Sequence, residues 1–368
     1  MLAAMRRTRR TSSAAALIGT LVIALLLARS ATADGRGGAI DRYNAALADG
    51  RVPAGWTGSV DTCEAGTESQ ASLGATLDAL NILRRFAGLE PVTFSAEKNA
   101  RALAAALLMR AQDDLSHDPP SSWRCWSQLG HLGASTSNLF LGSSGAQAMI
   151  GYIDDAGVSS LGHRRWVLDP AAMEMGSGST GATNALVVLD AEGDGSRGAG
   201  LAADRTVAWP AAGWFPTPWI FGDWTVAIGS GQSQGGVSLA DAQVRVEVDG
   251  RATPVNGIRV LDAGYGTGAT LAWKVTLPNA VHSGDHEIGV NVSGVTLDGA
   301  PLPIDYTVRA FDPGAAASES AACAKAKRRL AAARKELRKA RRDGGAARIK
   351  RAQRKVERAK AKKRTACS

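Results

Sequence analysis

The apolar period of this chain changes twice, and that change limits the architectures open to it. Leu73, Leu77, Leu80, Leu83 and Ala87 recur at steps of three and four, the spacing of one helix face. From Val244 onward the step is two: Val244, Val246 and Val248, then Leu271, Trp273, Val275 and Leu277, then Ile288, Val290 and Val292, then Tyr306 and Val308. After Cys323 a heptad spacing takes over, through Ala326, Leu330, Ala333, Leu337 and Ala340 and again through Ile349, Ala352, Val356 and Ala359. No single packing scheme satisfies all three periods, so the chain divides into a helix-bearing part, a strand-bearing part and a helical tail.

In the first part, the helix carrying Leu73 to Ala87 ends at Gly88 with Pro91 beyond it. A second helix starts near Ser95, a plausible N-cap, lines up Ala100, Leu103, Leu107, Ala111 and Leu115, and stops before Pro119 and Pro120. His117 then falls in the loop LSHDPPSSWRC. A third apolar segment, 146–153, precedes GHRRWVLDP, and NALVVLD at 184–190 reads as a short covered strand. Residues 34–69 carry only a weak pattern and read as an N-terminal arm and loops tethered at Cys63. Residues 191–205 are a Gly-rich linker. Residues 206–312 have the length and alternation of a β-sandwich, immunoglobulin-like in architecture, with turns at Asp249-Gly250 and Asp298-Gly299. Trp209, Trp214, Trp219 and Trp224 suit either a binding patch or a weld between two parts, and the weld is the simpler expectation.

Charge marks the tail. From Cys323 to Ser368 there are 20 Lys and Arg against three acids, a net +17, although the whole chain is only +9. The heptads, interrupted by Asp343-Gly344-Gly345, read as a basic helical hairpin over 316–368. Folding at Gly345 sets Cys323 opposite Cys367, and a disulfide there is worth roughly 3 to 4 kcal/mol on a chain-entropy model. Cys63 would pair with Cys125, with Trp123 and Trp126 packed beneath that bridge. Such pairing suits an oxidising compartment. Residues 1–33 agree: Arg6, Arg7, Arg9 and Arg10 precede an apolar run and an Ala31-Thr32-Ala33 cleavage signal, the pattern of a signal peptide. The tail points to an anionic cell-wall polymer or phospholipid surface, through residues 323–368. Nucleic acid fits the charge but not the export signal. Without large aromatics the tail supports neither base stacking nor membrane insertion.

His117 and His163 each stand beside a change of chain direction. Two neutral imidazoles meeting in one cleft make half of a zinc site. On spacing alone the simpler reading is a pair of satisfied surface histidines. Arg164 and Arg165 most simply pair with Asp154, Asp155 or Asp169, or stack on Trp166, with anion binding as the alternative.

Taken in order, ALNILRRFAGLEPVTFSAEKNARALAAALLM, LSHDPP, SNLFLG, GHRRWVLDP and MGSGS resemble a bacterial member of the CAP superfamily, the cysteine-rich secretory, antigen 5 and pathogenesis-related proteins. The resemblance spans about 70–190. It implies an α+β chain: a CAP-like α-β-α sandwich with an open cleft, followed by the immunoglobulin-like sandwich and the hairpin. Many members line the cleft with two histidines and two acids that hold a divalent metal. Here the histidines correspond to His117 and His163, and the glutamate position falls on Ser137, beside the matching Asn138. Asp154 and Asp155 are the candidate replacements for an acid, and Arg164 is a further candidate cleft residue. The lost carboxylate argues against an enzyme and leaves zinc, if bound, weakly held. No G-x-S-x-G context supports Ser137 as a nucleophile. The leading expectation is a secreted binding protein of the bacterial envelope tethered by its tail. The rivals are a metal-assisted hydrolase and a carrier of a small lipid.

Overall fold

The computed structural model describes residues 35–189, 197–230, 235–315 and 321–366; the expected signal peptide and Cys367, and with it the Cys323–Cys367 pairing, lie outside them. The first part comprises α1 (Arg36–Asp49), α2 (Gln70–Phe86), β1 (Thr93–Phe94), α3 (Ala96–Gln112), α4 (Gln128–Ser135), β2 (Ser137–Leu141), α5 (Gly145–Asp154), α6 (Gly162–Val167), β3 (Glu174–Ser179) and β4 (Thr183–Val187). Its strands form one sheet in the order β1-β3-β4-β2, with β1 parallel to β3 and the other pairs antiparallel. Alternation along β4 makes this sheet the middle of three layers. Ala185 and Val187 pack with Ala105 and Leu108 of α3 and Ala134 of α4. Leu186, one step out of phase, packs with Leu80 and Leu83 of α2 and Met149 of α5.

Local chemistry sets the helix starts. Ser69 Oγ accepts from Ser72 N at 3.1 Å and Ser95 Oγ from Lys98 N at 3.2 Å, satisfying amides that the first turn leaves without partners. The close approach of α3 to β3 explains MGSGS: a Cβ on Gly178 would lie 2.1 Å from Leu103 N. Pressed between sheet and α4, α3 is buried continuously over 101–109 rather than along one stripe. Two residues assigned to its apolar face therefore lie elsewhere. Ala100 is exposed, and Leu115 sits past the helix end, 41% exposed. Asp113, left-handed at φ 57°, ends the helix.

The reading of 34–69 as arm and loops needs correction, because α1 occupies its first third. The helix buries only Ala39, Tyr43 and Ala46, and Gly37 and Gly38 dilute its first turn, so its amphipathic signal is faint. Arg84 and Asn81 of α2 act as staples. Asn81 exchanges hydrogen bonds with Val92 at 2.8 and 2.9 Å, and the Arg84 guanidinium donates to the carbonyls of Val167 and Asp169 at 2.8 and 2.9 Å.

The second part contains β5 (Thr206–Trp209), β6 (Gly213–Pro216), β7 (Asp223–Ser230), β8 (Val237–Ser238), β9 (Gln243–Val248), β10 (Arg251–Thr253), β11 (Val255–Leu261), β12 (Thr267–Val275), β13 (Asp285–Ser293), β14 (Thr296–Leu297), β15 (Ala300–Pro301) and β16 (Ile304–Phe311). They form a five-stranded sheet β10-β9-β13-β16-β6, a four-stranded sheet β11-β12-β7-β5 and a small sheet β15-β14-β8. Val246, Val290 and Val308 of the first share a core with Val226, Leu271 and Trp273 of the second. Both Asp-Gly pairs form two-residue turns with positive φ at each position, 50° and 75° at Asp249-Gly250 and 49° and 81° at Asp298-Gly299.

Trp209, Trp219 and Trp224 are buried. Trp219 rests against Tyr43 of α1 and Phe86 of α2 at ring separations of 5.0 and 5.4 Å, and its carbonyl accepts from Trp209 Nε1 at 3.0 Å. Arg36 of α1 reaches Asp285 of β13 at 2.7 Å. Within the expected linker, Gly198 N donates to the Ala171 carbonyl at 2.7 Å and Arg197 pairs with Asp169, so this end of it lies against the first part.

Two further helices close the described chain, α7 (Ala321–Asp343) and α8 (Ala346–Ala366). They pack along Leu330, Ala333 and Val356, and Lys355 of α8 bonds Glu336 of α7 at 2.7 Å. No helix among the described residues is long and apolar enough to cross a membrane.

Candidate functional site

Two histidines, one on a loop and one on a short helix, line one cleft of about 330 Å³. His117 follows the end of α3, in a segment pinned by a disulfide between Cys63 and Cys125, where the Cα atoms are 4.9 Å apart. Closing a loop of 62 residues is worth about 4 kcal/mol on the chain-entropy model. Trp123 and Trp126 pack beside this segment on the core of α3 and α4, and Trp126 Nε1 donates to the Pro119 carbonyl at 3.1 Å. His117 Nδ1 lies 3.0 Å from the carbonyl of Ala134. A carbonyl only accepts, so Nδ1 carries a proton, and in the neutral ring Nε2 keeps the lone pair.

His163 is the second residue of α6. Its Nδ1 lies 2.7 Å from Asp155 Oδ1, and the same carboxylate accepts Arg164 N at 3.1 Å through Oδ2. Asp155 ends α5 in a left-handed conformation, which brings its side chain back under α6. In the neutral ring the pairing favours the same tautomer as in His117, with Nε2 as the remaining acceptor. Asn138 Nδ2 donates to the His163 carbonyl at 3.0 Å, and the Tyr152 ring lies 5.5 Å from the imidazole.

His117, Ser137, Asn138 and His163 all line the cleft. Ser137 Oγ is buried without a hydrogen-bond partner. Asp155 stands behind His163 with both carboxylate oxygens engaged, and Asp154 lines a different groove, with Phe140 and Gln147. Asp154 therefore supplies no acid to the cleft. Arg164 does not line the cleft either. Wholly buried, it donates to the carbonyls of Ile153, Asp223 and Asp154 at 2.6, 2.7 and 3.1 Å. Burial pulls its guanidinium down to about 10, with Asp155, Asp223 and Asp154 opposing, so it stays charged at neutral pH. Carbonyls, not the expected carboxylates, are its hydrogen-bond acceptors. Arg165 likewise reaches the Asp262 carbonyl at 2.8 Å and lies over the Tyr265 ring, 4.5 Å from its centroid, rather than over Trp166.

Spacing gave no sign of Tyr265, which closes the cleft from the second part, or of Glu68. Glu68 is buried at the base of α2, accepting from Ser72 Oγ at 2.5 Å and Ser179 N at 2.7 Å. The available signal for Tyr265 was an aromatic residue isolated in a Gly-rich turn, DAGYGTG, between two alternating strands.

Among the described residues no three His, Cys, Asp or Glu side chains converge to hold a metal ion. Residues 77–189 match CAP, the Cysteine-rich secretory protein family. The match covers less than a third of the chain. A 1.5 Å crystal structure of an extracellular protein containing a SCP domain, from Bacillus anthracis str. Ames, is similar at 18% sequence identity with a TM-score of 0.25, covering 32% of this chain and 40% of that one. The chain therefore spans less than half of that protein's resolved length. No curated protein matches the chain.

Proposed function

We propose that this chain is a secreted binding protein of a bacterial envelope, held at an anionic surface by its two C-terminal helices. The observation that carries the reading is the partition of α7 and α8. Ala326, Leu330, Ala333, Ala340, Ala352 and Val356 are buried in a shared seam, while nearly all the cations face outward. Glu336 and Glu357, two of the three acids, are already bonded to Lys355 and Lys360. Such a surface attracts polyanions over about a Debye length and adds no apolar face for insertion. We read the helices as the basic hairpin of 316–368, the two larger sheets as an immunoglobulin-like spacer over 206–312, and residues 70–190 as the CAP domain. The family's description as secretory supports the export reading of 1–33. The test is retention on anionic wall preparations at low salt: deleting 316–368 should release the protein, and unchanged retention would sink the tether.

Metal-assisted hydrolysis is the second reading, favoured by the two Nε2 atoms that share the cleft. Zinc prefers four ligands in tetrahedral array. The cleft offers two imidazoles and the Ser137 hydroxyl, and the nearest carboxylate is committed to His163 and Arg164. These residues fit a weakly held ion and not a tight catalytic one, so no catalytic step is assigned to it. A calorimetric zinc titration of the mature protein and of a His117→Ala, His163→Ala double variant decides the point. Micromolar binding lost in the double variant would raise this reading, and its absence would retire it.

A further inference from the structure

The cleft is built by two parts of the chain that are far apart in sequence. Residues 262–266 connect β11 to β12 and, with Thr267, lie against α6 through several anchors. Arg165 donates to the Asp262 carbonyl at 2.8 Å and to Thr267 Oγ1 at 3.2 Å, with its guanidinium over the Tyr265 ring. Gly266 sits against Asp169, where a Cβ would lie 2.5 Å from the Asp169 Cβ. Gly162 lies under Tyr265, where a Cβ would come within 2.5 Å of the ring. Leu161 packs with Leu261 and Ala272. Tyr265, half-buried and tilted 58° to Trp166 at 6.1 Å, is thus fixed as one wall of the cleft beside His163.

The remaining lining constrains what that wall can meet. Among the described residues no Lys, Arg, Asp or Glu side chain lines the cleft. A phosphate or carboxylate ligand would find no cation there. Both histidines turn Nε2 away from their tethered Nδ1, and Ser135 and Thr136 already spend their hydroxyl protons on the Leu132 carbonyl at 3.0 and 2.8 Å. Their lone pairs remain, and Ser137 Oγ, buried beneath the lining, makes no hydrogen bond within the chain. An uncharged cleft that joins these polar groups to two aromatic residues, Trp166 and Tyr265, and to Val158, Val188 and Leu189 selects a neutral ligand with polar edges and an apolar ring face. Neutral sugar rings have that combination, hydroxyls around the rim and C–H groups on the face.

We propose that the cleft is a saccharide site in which the CAP side supplies the hydrogen-bonding groups and Tyr265, carried by the second part, supplies the face on which a neutral sugar ring packs. The volume of about 330 Å³ lies at the lower end of the range for small-ligand sites. The inference adds a ligand class to the binding reading and requires neither tail nor metal.

The test is calorimetry on the full mature chain, in chelator and high salt so that metal and tail are silenced. The neutral probes are cellotetraose, chitotetraose and maltotetraose, with tetragalacturonate as the anionic comparator. At least one neutral probe should bind with Kd of about 1 mM or tighter. Tyr265→Ala should weaken it about tenfold, the effect of losing one aromatic contact, and Tyr265→Phe should leave it within about threefold. Should Tyr265→Ala fail to fold, saturation transfer from tyrosine ring protons to the bound sugar in the unaltered protein reads the same contact. Three results would overturn the proposal: no neutral probe binds, tetragalacturonate binds more tightly, or binding ignores the alanine variant or shows no transfer from the tyrosine. Loss of the tether with sugar binding intact would reject the surface reading alone.

Discussion

Arg164 should be among the least replaceable residues of the chain, because it holds α6, and with it His163, against two other elements. Its buried guanidinium donates to Ile153 and Asp154 at the end of α5 and to Asp223 at the start of β7, the latter two residues being half-buried. In Arg164→Ala the three carbonyls lose a charged donor, and buried Asp155 loses its nearest compensating guanidinium. A hydrogen bond to a charged group contributes about 1.5 to 3 kcal/mol, and breaking one side of a buried charged cluster costs about 3 to 5 kcal/mol. With two short bonds and one longer one, the expected loss is about 4 kcal/mol. That is a large share of the ~5 to 15 kcal/mol that keeps a protein folded. Urea unfolding of the mature chain, followed by tryptophan fluorescence, should show a midpoint lowered by about 1 M for an m-value near 3 kcal/mol/M. Arg164→Lys keeps the charge but not the fork, so it should recover about half. A shift under a quarter of that expected, or full rescue by lysine, would refute the reasoning.

Two pH-dependent predictions follow from buried or paired groups. Burial pushes the Glu68 carboxyl up, against the opposing bonds from Ser72 and Ser179, so the native state binds its proton more readily than the unfolded chain. Stability should then fall as pH rises from about 4.3 through the native value. Glu68→Gln should flatten that stretch of a stability-versus-pH curve, gaining on the parent toward neutral pH and not at pH 4, whereas identical slopes would contradict the assignment. His286 and Asp249 bond at 2.8 Å. This raises the histidine, chiefly through the aspartate hydrogen bond, and lowers the aspartate, chiefly through the histidine one. Their contribution, about 0.5 kcal/mol for an exposed pair, should be complete between about pH 4 and 6.5, fading above that window as His286 loses its proton and below it as Asp249 gains one. Comparing Asp249→Asn with the parent by thermal unfolding should give the largest gap inside the window, and a gap that keeps growing above pH 8 would contradict the pairing.

What the sequence disclosed was the local part of the structure. Ser95 caps α3, NALVVLD overlaps β4 over 184–187, and the Asp-Gly pairs turn as their left-handed preferences require, because each signal lies within a few residues. α1 escaped notice because Ala39, Tyr43 and Ala46 are its only buried positions and its first turn holds two glycines. The convergence of His117 and His163 was legible through the order of the family's motifs rather than through spacing. Arg164 and Arg165 misled for a physical reason: charged partners are visible in a sequence, whereas backbone carbonyls, which these arginines use, look the same at every position. Tyr265 could not be tied to His163 because the contact depends on how the second part lies against α6, and no periodicity encodes that.

If the basic tail, and not the rest of the chain, holds this protein at an anionic surface, removing the tail alone must abolish that binding. The most direct measurement is co-sedimentation of the mature chain, and of the same chain ending at residue 315, with phosphatidylglycerol and phosphatidylcholine vesicles across a salt series. The account predicts that the intact chain sediments with the anionic vesicles alone, is released steeply as salt rises, and loses this binding when shortened. Equal sedimentation of the shortened chain, or binding by the intact chain that is indifferent to salt and lipid charge, would contradict it.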